Sequence, residues 1–143
     1  LDQVAALLDQ RPDCEVASLY WPISEAGEVQ NPNAVKVVTD LQDRALYFSR
    51  SPVPYARSYT CISEAIAGGV VWKRHLGLYA YRLAALRRYT ACPPTALEIS
   101  ERLEQLRIME QGGRIAMAEA CEFIPAGVDT LEDLERVRKI IKL

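Results

Sequence analysis

The stretch Val70–Tyr81, VVWKRHLGLYAY, decides the fold. Its β-branched and aromatic residues, with small or apolar neighbours on either side of Gly77, read as one long strand. In an extended strand Lys73, His75, Gly77 and Tyr79 share a face. Read alone, that face is the polar side of a strand in water. The same cation, imidazole and phenol, with space left at the glycine, would also suit a carboxylated and hydroxylated ligand.

Strands and helices alternate outward from this point. RLAALRRYTA predicts a short helix with basic residues toward its C-terminal end, where the helix dipole favours them. Cys92-Pro93-Pro94 stops it. Thr95-Ala96-Leu97-Glu98 is a capping box that opens a helix to about Gln111, closed by Gly112-Gly113. RIAMAEACEFI is the last strand, and Pro125 to Asp129 turns into a terminal helix.

On the other side, AVKVVTD and ALYFSR flank a short LQD connection and predict a hairpin. CEVASLYW predicts a strand closed by Pro22. SEAGEVQNPN is a loop with room for one helical turn. Leu1, Val4, Leu7 and Leu8 fall on one face of a helix ending near Arg11-Pro12. From Ser51 to about Gly69 the periodicity breaks down, as in a functional loop. The expected class is α/β, a mixed sheet flanked by helices, in a single domain over 1–143.

Composition narrows the function classes. The chain has 143 residues, half of them hydrophobic and a quarter charged, which suits a globular domain with a real core. A formal charge of −2 gives no general reason to expect nucleic acid or an anionic membrane as partner. No apolar run is long enough to cross a bilayer, and no signal-peptide pattern opens the chain, so a cytoplasmic protein is expected. Cys14, Cys61, Cys92 and Cys121 include no C-x-x-C pair, which fits reduced thiols better than zinc ligands. The chain opens on Leu1, already within a helical pattern, and is therefore expected to be a piece of something longer.

Several familiar catalytic devices are missing. The sequence has no G-x-x-x-x-G-K-[ST] or G-x-G-x-x-G phosphate cradle and no G-x-S-x-G elbow. Arg50 and Arg57 flank Ser51-Pro52-Val53-Pro54; prolines would hold this loop open, and arginines grip carboxylate or phosphate by paired bonds. Otherwise the two are solvated surface cations. Glu101, Glu104 and Gln105 cluster on the Thr95 helix, where a carboxylate and an amide can read sugar hydroxyls, or simply face water. In AGVDTLEDLERVRKI, residues 126–140, Asp129 and Thr130 read locally as helix caps.

Taken together, NPNAVKVV, YFSRSPVPY, RHLGLYAYR, LEISERLEQLR and GVDTLEDLERV resemble the 3-deoxy-manno-octulosonate (Kdo) cytidylyltransferase family, from about Asn31 to Arg138. The resemblance implies the C-terminal portion of a longer enzyme, with a Rossmann-like nucleotide-diphospho-sugar transferase fold and a β dimerisation arm. It implies transfer of CMP from CTP to the anomeric hydroxyl of Kdo, with Mg2+, for lipopolysaccharide synthesis by a homodimer. Arg50, Arg57, His75, Tyr79, Glu104 and Gln105 match the family's Kdo pocket, and Asp129 matches its catalytic metal ligand. The family's P-A-R…R-L-P-G-K loop and D-E-P block have no counterpart here, so this chain is expected to be inactive alone. Alternatives are a cytidylyltransferase for 8-amino-Kdo or another acid sugar, and a non-catalytic dimerisation fragment.

Overall fold

The computed structural model describes residues 1–125 and, in the terminal segment, Leu134, Glu135, Val137 and Arg138. The expected strand at residues 70–81 is β4, Trp72–Tyr81, the middle strand of a five-stranded sheet. The others are β1 (Val16–Ile23), β2 (Lys36–Thr39), β3 (Ala45–Ser49) and β5 (Ile115–Glu119). Their order across the sheet is β3-β2-β4-β1-β5. Only β1 and β5 run parallel, so the sheet is mixed, as expected.

Six helices accompany these strands within residues 1–125: α1 (Asp2–Gln10), α2 (Ala26–Gln30), α3 (Ile62–Ala67), α4 (Leu83–Ala91), α5 (Ala96–Glu101) and α6 (Gln105–Glu110). One face of the sheet packs Val16, Val37, Phe48 and Met117 against Ala85, Leu103, Leu106 and Ile108 from the helical layer. The other packs Ala17, Leu19, Leu76 and Ala116 against Val4 and Leu8 of α1. Alternate residues of β1 feed opposite cores, the period-two pattern of a strand buried on both sides.

Three expectations need correction. Pro22 does not close β1, which continues to Ile23 with Pro22 opposite Lys73. Tyr20 is the last residue paired with β5, so at Pro22 β1 is an edge strand on that side and accommodates proline. The irregular segment from Ser51 to Gly69 contains a helix, α3, whose Ala65 is fully buried.

The third correction matters most for the site. The helix expected from Thr95 to Gln111 is two helices, broken at Arg102, which adopts a left-handed conformation with φ 56°. Arg50 explains the break. Its Nε donates to Glu101 O at 2.7 Å and its Nη2 to Arg102 O at 3.3 Å, taking up carbonyls at the end of α5. The expected start does form, with Thr95 N–H donating to Glu98 Oε2 at 3.2 Å.

Candidate functional site

A cleft of about 1180 Å³ opens where β4, the loop before β2 and the α5–α6 break converge. Arg50, His75, Tyr79, Glu104 and Gln105 all line it. These side chains come from three separate parts of the sequence.

Each is placed for a local reason. β4 carries two residues more than β1 where they pass, since Ser18 pairs with Tyr79 while Leu19 pairs with Leu76. This bulge leaves Gly77 exposed in the cleft wall between His75 and Tyr79. An even insertion preserves the facing, so the two rings remain neighbours with centroids 5.3 Å apart. Phe48 packs edge-on against His75 from the other side, at 4.8 Å.

Burial sets the charge of these groups. Desolvation pulls the His75 pKa from 6.5 down to about 3, so the ring is neutral at physiological pH. The imidazole therefore cannot act as a cation toward a carboxylate. It offers a hydrogen bond instead. Desolvation raises the Tyr79 phenol well above its ordinary range, with Tyr81 and Glu104 adding to the effect, so it stays protonated.

The break between α5 and α6 presents the acid and the amide. Gln105 is only 3% exposed, and its side chain has no partner among the described residues. The residue lines the cleft. Such a group invites a ligand, because a buried amide without a partner costs about 1–3 kcal/mol. Glu104 is exposed at the same wall. Glu101 turns inward and accepts from Ser49 Oγ at 2.7 Å and Arg50 N–H at 2.9 Å. Partial burial pushes its carboxyl upward, but these bonds win and hold it below the usual range.

Arg50 stands in the cleft wall already partly committed. Besides the two carbonyls at the break, Nη1 donates to Pro32 O at 2.9 Å. Two of its five N–H groups have no partner among the described residues. Arg57 is exposed in the loop and does not line the cleft. Lys73 also stays out of it: Nζ donates to Thr39 Oγ1 at 2.7 Å and sits 4.4 Å over the Tyr20 ring.

The structure adds residues that sequence reasoning missed. Arg74 lines the cleft at 6% exposure, paired with Glu28 at 3.1 Å and donating to Ile124 O. Its Nε is buried without a partner among the described residues. Asn31, Asn33 and Val35 also line the cleft, as do Phe123, Ile124 and Pro125. The NPNAVKVV block was a signal for the first group. Nothing local marked the second.

The cytidylyltransferase family model matches residues 1–117, most of the chain. The chain belongs to the cytidylyltransferase family. Among curated relatives, it is 47% identical over 138 residues to the 3-deoxy-manno-octulosonate cytidylyltransferase of Alcanivorax borkumensis, covering 96% of this chain and 55% of that protein. It is also 47% identical over 143 residues to the enzyme of the same name from Nitrosococcus oceani, covering 99% of this chain and 55% of that protein. A solved structure of CMP:2-keto-3-deoxy-manno-octonic acid synthetase complexed with CTP superposes with a TM-score of 0.79 at 39% identity, covering 99% of this chain and 56% of that one. The chain thus spans about 55% of the length of the curated cytidylyltransferases it matches. The expected fold class stands: this is the α/β architecture of a nucleotide-sugar transferase.

Asp129, expected as the catalytic metal ligand, lies outside the described residues. Among those residues no three of His, Cys, Asp and Glu converge as metal ligands. No helix among them is long and apolar enough to cross a membrane.

Proposed function

We propose that the cleft is the acid-sugar side of an enzyme that transfers CMP from CTP to the anomeric hydroxyl of Kdo. In that reaction the sugar oxygen forms a bond to the α-phosphorus, the α–β phosphoanhydride breaks, pyrophosphate leaves and the hydroxyl proton is lost. The observation that carries the reading is the cleft itself. It gathers five of the six residues that the family resemblance assigns to Kdo, and one of them, Gln105, is a buried amide with no side-chain partner among the described residues.

The donor set suits a polyhydroxylated carboxylate. With His75 neutral, charge complementarity falls to the arginines lining the cleft, Arg50, Arg74 and Arg102. Gln105 can donate and accept, Glu104 accepts, and Tyr79 does both, which is how hydroxyls on a ring are read. These groups hold and orient the sugar, and orientation alone supplies much of a displacement's rate. The described residues bring no metal-binding cluster, and magnesium at Asp129 rests on the family resemblance. A homodimer, a cytoplasmic location and a role in lipopolysaccharide synthesis belong to the same proposal.

Calorimetry with Kdo tests it. The chain is expected to bind Kdo without nucleotide and to ignore D-mannose, which lacks the carboxylate. Glu104→Ala and Gln105→Ala should each weaken binding by about tenfold. Equal affinity for the two sugars would remove the proposal.

A further inference from the structure

The two-residue bulge in β4 is held by a group that the proposed function leaves unused. Ser18, 0% exposed in the middle of β1, lies under the bulge. Its Oγ is 3.0 Å from Leu76 O and 2.9 Å from Leu78 O, the carbonyls on either side of Gly77. It is also 2.9 Å from His75 Nε2.

Proton counting fixes the roles. A serine hydroxyl has one proton, and carbonyl oxygens can only accept. Given to the ring, that proton would leave both carbonyl oxygens against bare Oγ lone pairs, so it points to the carbonyls and the oxygen turns a lone pair to the imidazole. The ring nitrogen at 2.9 Å must bring the proton to that bond. A neutral imidazole has only one, so it sits on Nε2 and leaves Nδ1 bare. No described protein group bonds Nδ1, and His75 lines the cleft, so Nδ1 is the ring nitrogen left for a ligand there.

We propose that Ser18 is a positioning residue: it locks His75 in the Nε2–H tautomer and makes Nδ1 an acceptor that selects a ligand hydroxyl over a ligand carboxylate. A carboxylate brought to Nδ1 would set two acceptors against each other, whereas a sugar hydroxyl donates to it. The same hydroxyl pins Leu76 and Leu78, so one side chain fixes both the bulge and the ring's polarity. The ligand half of this inference rests on the acid-sugar reading of the cleft; the tautomer half does not.

His75 is the only histidine in the chain, so its ring nitrogens can be read by 15N–1H spectroscopy without ambiguity. The unaltered chain near neutral pH should show a protonated Nε2 and a bare Nδ1. Ser18→Thr keeps the hydroxyl and should keep that pattern. Ser18→Ala removes the only partner of Nε2 among the described residues and should give a mixture of tautomers. A proton on Nδ1 in the unaltered chain, or a pure Nε2–H tautomer in Ser18→Ala, overturns the proposal. Should Ser18→Ala not fold, the spectrum of the unaltered chain still decides. In calorimetry, Ser18→Ala should lose about tenfold in Kdo affinity while Ser18→Thr stays within about twofold. Undiminished Kdo affinity in Ser18→Ala overturns the selectivity. A chain that shows the expected tautomer but binds no Kdo removes the acid-sugar reading and leaves the role of Ser18 in the tautomer standing.

Discussion

Burial makes His75 and Lys36 titrate outside their ordinary ranges, and each shift has a definite sign. The folded-state pKa of His75, about 3, lies below its ordinary 6.5. Between these values the unfolded chain binds more protons than the folded one, so acid favours unfolding. Stability from this residue is full above pH 6.5 and is lost as the pH falls toward 3. An NMR titration should show no imidazole protonation down to about pH 4, and a midpoint near 6 would contradict the burial argument. Lys36 is 0% exposed, and its ammonium donates to Asn31 O at 2.9 Å. Desolvation, helped by the nearby Arg50 charge, lowers its pKa from 10.5 to about 8. The stability it contributes therefore rises as the pH climbs from 8 to 10.5. Denaturant unfolding of Lys36→Met across that window should show a flatter pH dependence than the parent.

At the scale of elements, the break between α5 and α6 is the feature that a single sequence could not show. The periodicity of Leu97, Leu103 and Leu106 fits one continuous helix, and the capping box and paired glycines mark its outer ends correctly. What breaks it is Arg50, about fifty residues away, whose side chain captures the carbonyls of Glu101 and Arg102. Arg50→Lys keeps the charge but loses the planar fork, so it should destabilise the fold by about 2 kcal/mol and weaken Kdo binding as well. Unchanged unfolding in urea would contradict a bracing role. Arg102, at φ 56°, is strained as any L-residue is in that region. Arg102→Gly should therefore raise stability by about 0.5–1 kcal/mol, read as a higher urea midpoint.

The long strand at residues 70–81 was legible because its composition and length are intrinsic to it. Its bulge was not, because an extra pair of residues exists only relative to β1. His75 and Tyr79 share a face only because that insertion is even. Lys73 was expected beside them, yet Thr39 and Tyr20 hold it elsewhere, a tertiary choice with no local signal. Arg57 was read as one of a pair with Arg50, and the loop leaves it exposed outside the cleft.

For the molecule as a whole, the mixed sheet brings the loop before β2, the bulge of β4 and the end of α5 to one place. The chain spans about half the length of its curated relatives, and the phosphate-loop blocks that the resemblance implies do not occur in its sequence. It is therefore expected to bind Kdo but to release no pyrophosphate from CTP, Kdo and magnesium, as a coupled pyrophosphate assay would show. Turnover by this chain alone would show that the described cleft is more complete than proposed.

The most direct test is a crystal structure of the chain with Kdo bound. The sugar is expected in the cleft, with ring hydroxyls bonded to the Gln105 amide, the Glu104 carboxylate and His75 Nδ1, and its carboxylate toward the arginines. Kdo bound elsewhere, or bound here with the Gln105 amide still empty, would contradict the account.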